Sequence, residues 1–354
     1  MGERVLMKGN EAIGEAAIQA GCRFFFGYPI TPQNELPEYM SRRMPQVEGT
    51  FVQAESEVAA INMVYGAAGA GARAMTSSSS PGISLKQEGI SYLAGAELPA
   101  VIVNIVRGGP GLGSIQPSQG DYFQAVKGGG HGDYRLLVFA PANLQEAVDL
   151  VTEAFDLADL YRNPVLILGD GLLGQMMEPV EFRKLQSREL PPKTWATTGM
   201  RHHPGKNIVN SLVLDAPGLE KHNLHLQAKY ARMQREEQRA EMLHCEDAEV
   251  VIVAYGSTAR IAKTAVASLR QAGVKVGLFR PITLWPFPTM ALGQLVPQVK
   301  ALLTVEMSAG QMVEDVRLVV NGAKPVHFYG RMGGMVPTPE EISAECLKVI
   351  GGAR

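Results

Sequence analysis

The sequence predicts an α/β protein with parallel sheets, built as two units of unequal size. Two observations carry this. Short, near-continuously apolar runs alternate with helix-period segments through residues 1–175, the pattern of strands covered on both faces by helices. After a polar, charged interruption the same alternation resumes over residues 248–354. A length of 354 residues suits two or three domains at ~100–200 residues each.

In the first unit the strands are Arg23–Gly27, Thr50–Ala54, Arg73–Ser77, Ala100–Val106, Leu136–Ala140 and Pro164–Gly169. Helical segments at Glu11–Ala20, Glu57–Ala70, Ser84–Ala94 and Asn143–Tyr161 lie between them, as in a parallel sheet. In the second unit Glu249–Tyr255 (EVVIVAY) is a strand. Gly256 and Ser257 turn it into a helix over Thr258–Gln271, which Gly273 stops. Strands follow at Lys275–Phe279, Ala301–Glu306 and Val326–Tyr329, with helices near Gln311–Val320 and Pro339–Ile350. Residues 176–247 form a connecting segment with Pro191-Pro192 and His202-His203-Pro204. Its charged stretch Leu219–His244 is expected as a solvated helix or an irregular connection.

Composition narrows the function. Hydrophobic residues at 46% and charged residues at 19% describe an ordinary globular protein. A formal charge of -2 excludes a nucleic-acid binder that works by bulk positive charge. Cys22, Cys245 and Cys346 are far apart and no CxxC occurs, so the chain carries no iron–sulfur or zinc motif, and unpaired cysteines suit a reducing cytoplasm. No apolar run approaches the ~18 residues of a membrane span, and the first ten residues lack a signal-peptide core.

There is no GxxxxGK[ST] and no GxGxxG after a strand. Gly108–Gly113 (GGPGLG) follows a strand, where open α/β sheets bind ligands, but reads first as a loop that simply needs positive φ at several positions. Gly169-Asp170-Gly171 resembles the opening of a thiamine-diphosphate magnesium motif. Pro192–Arg201, where the second metal ligand would fall, contains no Asn, so it reads as a turn with no metal assigned. His222 and His225 share a helix face and read as part of a solvated helix. His131, between glycines, is a candidate on the substrate side.

Other features gather at strand ends. Thr31, before Pro32, lies where a helix start attracts anions or is simply capped. Glu57 opens a helix that is almost wholly apolar (VAAINMVYGAAGAG) and expected to be buried on most sides. Its carboxylate is a functional candidate or a helix-N-terminal acid. Ser77–Ser80 with Pro81-Gly82 form a polar loop. Arg107 ends a strand, able to grip a carboxylate at two points or to make an inter-domain salt bridge. Thr31, Glu57, the serines and Arg107 converge on one sheet rim, as an active site does.

These motifs carry a resemblance. YPITP (Tyr28–Pro32), QAESEVAAINMVYGAA, TSSSSPG and the Arg-ending strand, then VIVAYGSTA, FRPITLWPFP and VEMSAGQM, resemble in order the alpha subunit of 2-oxoacid:ferredoxin oxidoreductases. The wording is most like that of the 2-oxoisovalerate (branched-chain) members. The resemblance implies a pyrimidine-side thiamine diphosphate domain at 1–175 and a transketolase C-terminal-like domain at 248–354. It implies a beta subunit carrying the diphosphate and magnesium, an iron–sulfur subunit with 4Fe–4S clusters, and a gamma subunit. The implied reaction is oxidative decarboxylation of a 2-oxoacid to acyl-CoA, with coenzyme A taking the acyl group and ferredoxin the electrons. By residue, Glu57 would bond the aminopyrimidine nitrogen, Thr31 and Arg107 the substrate carboxylate, and Tyr28, Pro29 and Ile30 would shape that pocket. Pro29 and Arg107 would also touch the cofactor. Gln33 and Asn34 stand where many pyruvate-using members carry small hydroxyl residues. The same chemistry on 2-oxoglutarate or pyruvate, a self-contained thiamine-dependent enzyme, and a non-catalytic scaffold are the competing readings.

Overall fold

A parallel strand pair needs a crossover between its members, and this chain supplies one for nearly every strand. The computed structural model describes residues 4–185, 188–199 and 205–352; His202-His203-Pro204 of the connecting segment lie outside the described residues. The chain begins with β1 (Arg4–Lys8), α1 (Gly9–Gln19), β2 (Phe24–Gly27), α2 (Glu35–Arg43), β3 (Thr50–Gln53), α3 (Glu57–Gly69), β4 (Ala74–Ser78) and α4 (Ser80–Gly95). It continues through β5 (Ala100–Val106), α5 (Tyr122–Val126), β6 (Leu137–Phe139), α6 (Leu144–Tyr161), β7 (Pro164–Asp170), α7 (Gly171–Gln175) and β8 (Met177–Glu181). Next come α8 (Ala216–Glu236), β9 (Ala240–Leu243), β10 (Val250–Val253), α9 (Gly256–Gln271), β11 (Val276–Pro281) and β12 (Thr283–Trp285). The last elements are α10 (Thr289–Leu295), β13 (Ala301–Glu306), α11 (Met312–Val320), β14 (Val326–Gly330) and α12 (Pro339–Gly352).

The larger sheet has seven strands in the order β12-β6-β7-β5-β4-β2-β3. Every pair in it is parallel except β12 with β6. Its central strands β5 and β7 are buried at every position, which is why they read as unbroken apolar runs. The smaller sheet runs β14-β13-β10-β11-β9, parallel apart from the antiparallel edge strand β9. A separate antiparallel pair, β1 with β8, joins the two ends of the first α/β run.

Several expectations need correction. The charged stretch is neither irregular nor fully solvated. Over α8 the residues Leu226, Tyr230 and Met233, at i, i+4 and i+7, are buried. The Tyr230 ring meets Trp285 edge-on at 5.9 Å, and Lys229 pairs with Glu97 at 3.1 Å. His222 and His225 are spent around the end of α4, each donating from Nε2, to the Gly95 carbonyl and the Glu97 carboxylate respectively. The helix expected from Ser84 starts at Ser80, because Pro81 fits a first turn, where its missing N–H costs nothing. The stop at Gly273 is of the glycine type: φ is +80°, and Val274 N–H reaches back to the Leu269 carbonyl.

The two sheets are joined by buried polar contacts. Gln119 donates to the Tyr255 carbonyl at 2.9 Å and accepts from Thr258 and the Met307 amide. Arg280 grips Glu146 with both terminal nitrogens at 2.8 Å, a fork-to-carboxylate bond spanning the units. β12 adds to this by lending a strand from beyond residue 248 to the larger sheet.

Candidate active site

The C-terminal ends of β2, β4 and β5 meet at one rim, and the residues there have distinct local reasons to be where they are. Ser56 is the N-cap of α3, its hydroxyl accepting from the Ala59 amide at 3.1 Å, so Glu57 is released from capping duty at the first helical position. Glu57 is only 6% exposed. Its carboxylate lies over Gly82: a Cβ there would come within 2.6 Å of Glu57 Oε1 and 2.1 Å of Ser78 Oγ. Gly82→Ala is therefore expected to displace Glu57 and cut turnover by about 100-fold, the effect of a misplacement near 1 Å, with the fold kept. Steady-state kinetics alongside a thermal melt measure it.

Thr31 does not cap a helix, contrary to one expectation. The helix start lies further on, at Glu35, and Pro32 sits in the turn before it. The Leu36 and Glu38 amides at that start are already taken by the Gln33 and Asn34 carbonyls. Instead the loop is clamped from behind. Asn10 and Gln175 both donate to the Pro32 carbonyl, and buried Gln33 accepts from the Ser77 hydroxyl at 2.5 Å. Tyr28 and Pro29 face outward and Ile30 and Thr31 are half-buried, so this loop forms the lip of the rim.

Arg107 ties that lip to the Gly-rich loop. Its two terminal nitrogens donate to the Thr31 carbonyl at 2.9 Å and the Leu112 carbonyl at 3.0 Å. The guanidinium makes no inter-domain salt bridge among the described residues. Its Nε is buried with no partner, and so are Ser78 Oγ and Ser79 Oγ. Of these, Ser78 Oγ lies with the Glu57 carboxylate around the Gly82 notch, and buried polar atoms are normally satisfied, so such an atom can take a polar group from outside. The serine stretch is part strand and part helix: Ser80 holds both the amide and the carbonyl of Arg107.

Other candidates are placed elsewhere. Gly169-Asp170-Gly171 is the turn from β7 to α7, in which Asp170 Oδ1 accepts from the Leu172 and Leu173 amides. Burial pushes the Asp170 carboxyl up, while those bonds and Ser257 act against it. Asp170→Ala is expected to cost about 1–2 kcal/mol, as loss of an N-cap does, read by urea unfolding. No cluster of three or more His, Cys, Asp or Glu able to hold a metal occurs among the described residues. His131 sits against Ser91 and Tyr92, about 13 Å along α4 from Gly82 at 1.5 Å per residue; it is not brought to the rim.

The sequence reading did not single out Lys86, which is fully buried on α4 and faces Glu57 electrostatically. Its signal was a lone cation at i+4 from Gly82 and i−3 from Gly89. α3 is buried or half-buried on most sides, as expected, and leaves one narrow exposed stripe, Val58, Asn62 and Gly66, continued by Ala70 just past its end, with Val58 45% exposed. Tyr28, Leu85, Leu112 and Ile115 are further exposed apolar side chains. Two clefts of about 610 Å³ lie elsewhere, one by Glu153 and Arg188 and one by Trp285 and Phe287, and neither includes a rim residue.

A parallel α/β sheet with a carboxylate at a helix start, and unpaired polar atoms at neighbouring strand ends, belongs with enzymes that bind a ligand at the rim. Residues 15–252 match the thiamine diphosphate-binding domain of pyruvate flavodoxin/ferredoxin oxidoreductases, and residues 248–342 match core domain II of pyruvate:ferredoxin oxidoreductase. The chain belongs to this family, as an alpha-type subunit of a 2-oxoacid:ferredoxin oxidoreductase. It is 53% identical over 346 residues to ketoisovalerate oxidoreductase subunit VorB of Methanothermobacter thermautotrophicus, covering 98% of each chain. It is 36% identical to the same organism's 2-oxoglutarate synthase subunit KorA, covering 99% of this chain and 100% of that one. Among solved structures it matches a 2-oxoglutarate:ferredoxin oxidoreductase from Magnetococcus marinus, with 2-oxoglutarate, coenzyme A and succinyl-CoA bound. The TM-score is 0.89 at 28% identity, over 99% of this chain and 66% of that one.

Proposed function

We propose that this chain is the pyrimidine-side, substrate-contacting subunit of an enzyme that oxidatively decarboxylates 2-oxoisovalerate to its acyl-CoA, passing electrons to ferredoxin. The observation that carries the site assignment is the buried Glu57 carboxylate that shares the Gly82 notch with the unpaired Ser78 Oγ. The branched-chain substrate is supported by the 53% identity to a ketoisovalerate oxidoreductase subunit, against 36% to a 2-oxoglutarate synthase subunit.

The residues present suit the pyrimidine half of thiamine diphosphate and not its metal–diphosphate half. A carboxylate held over a glycine can share a proton with a ring nitrogen, whereas Asp170 is already committed to two amides. Thiamine diphosphate, when bound, supplies the nucleophilic carbon and the electron sink. Glu57 would hold the proton at the aminopyrimidine nitrogen. Arg107 Nε, with a terminal nitrogen freed from the exposed Leu112 carbonyl, would grip the substrate carboxylate, and Thr31 would bond to it beside them. Tyr28, Pro29 and Ile30 would wall the pocket and exclude water, with Pro29 and Arg107 also against the cofactor.

Magnesium and the diphosphate side would come from a beta subunit, and 4Fe–4S clusters from an iron–sulfur subunit. A gamma subunit, coenzyme A and ferredoxin would complete the system, in the cytoplasm. The division 1–175, 176–247 and 248–354 is proposed on the same footing.

The test is to purify the tagged chain with its native partners and assay 2-oxoisovalerate, 2-oxoglutarate and pyruvate with coenzyme A and a ferredoxin. A kcat/KM for 2-oxoisovalerate at least about 10-fold above the others is expected. Preference for 2-oxoglutarate overturns the substrate. Recovery of the chain alone, binding thiamine diphosphate, overturns the shared site.

A further inference from the structure

We infer that Lys86 is a positioning residue: its buried ammonium supplies the counter-charge to the Glu57 carboxylate across the α3–α4 packing. This rests on the pyrimidine-side reading above. Gly82, Lys86 and Gly89 lie at i, i+4 and i+7 on α4, so they share one face. A Cβ at Gly82 would strike Glu57 Oε1 at 2.6 Å, and one at Gly89 would strike Ile61 at 2.5 Å. Glu57 and Ile61 are in turn i and i+4 on α3. Two glycine notches thus bring the helices together, and Lys86 lies between the notches.

Lys86 has no exposed surface, and its one hydrogen bond is to the Ser77 carbonyl at a long 3.4 Å. An ammonium carries three donors, so a single long bond leaves it poorly compensated. Burial pushes the lysine down to about 8, and Glu57 acts in the opposite direction. From α3 the facing charge is Glu57, and from β4 the facing group is the neutral Ser77 carbonyl. Among the described residues no other charge acts on it. A core position that needed only volume would be filled by Leu or Met at no cost in desolvation.

The sign follows. Below pH 8 the ammonium is present and the carboxylate is compensated. Above pH 8 the ammonium loses its proton and Glu57 loses its counter-charge. Turnover and the protonated state of the bound ring should therefore share an alkaline limb near pH 8 that belongs to Lys86.

The experiment uses the assembled complex with thiamine diphosphate added. It compares wild type, Lys86→Met and Lys86→Arg by kcat and KM from pH 6 to 10, and by near-ultraviolet circular dichroism of the bound aminopyrimidine. Lys86→Met should lower kcat about 10-fold or more, change KM little, and abolish the limb in both readouts. Lys86→Arg, which stays charged, should restore kcat at neutral pH and move the limb upward by at least about one pH unit. Should neither variant assemble, the wild-type dichroism band alone decides: no titration near pH 8 overturns the inference. Wild-type kcat, limb and band in Lys86→Met overturn it too. A wild-type complex that binds no thiamine diphosphate overturns this inference and the pyrimidine-side reading together.

Discussion

Glu57→Gln in the assembled enzyme is expected to lose about 100-fold or more in turnover, with substrate KM changed far less and secondary structure retained. The carboxylate is the group at the rim that can take or give a proton where it stands. Glutamine keeps the shape and a donor but cannot exchange a proton at neutral pH, and positioned acid–base groups contribute ~10²–10⁴-fold. The substitution leaves α3 intact, because Ser56 and not Glu57 caps it. It also leaves the Lys86 ammonium without its partner, so a modest loss of thermal stability accompanies it. Glu57→Asp separates the two effects: the charge pair survives, but the shorter side chain withdraws the acid from the ring nitrogen, and turnover should still collapse. Near-wild-type decarboxylation by the glutamine variant would remove Glu57 from the chemistry.

Arg107→Lys is expected to raise the KM for the 2-oxoacid by roughly 10- to 100-fold, the loss of one charge-assisted bond worth ~1.5–3 kcal/mol. Thiamine diphosphate affinity should change less. Lysine keeps the positive charge but has one nitrogen in place of a fork. That fork now holds the Thr31 and Leu112 carbonyls and leaves Nε buried and unpaired. A lysine cannot brace the YPIT lip and hold a carboxylate together. Separate measurements of substrate KM and of cofactor affinity by calorimetry check this. An unchanged KM would reduce Arg107 to a loop brace, a role its two carbonyl contacts already give it.

The contrast between these residues and Lys86 explains what was legible in the sequence. Glu57, Thr31 and Arg107 each end or follow an apolar run, and strand ends of a parallel sheet share a rim, so their convergence could be read from strand order alone. Lys86 sits in mid-helix, where a lysine normally points to solvent. Only the glycines at 82 and 89, which let α4 approach α3, turn it inward, and that depends on which helix packs against which. Gln33 is similar: a departure in the motif by its letters, and a buried tether to Ser77 once β2 and β4 pair.

The sequence by itself determined the class of fold, the parallel strands and the family. Hydrophobic period and turn chemistry are local, and an ordered set of motifs survives without coordinates. The tertiary structure alone decided that α8 is half-buried, that β12 crosses to the larger sheet, and that Thr31 is braced by Arg107 and does not cap a helix. It also decided that α3 leaves Val58, Asn62 and Gly66 facing outward. These depend on contacts between residues dozens of positions apart, and the free energy of burying or pairing a side chain is set by the neighbours the fold brings to it, which no local period encodes.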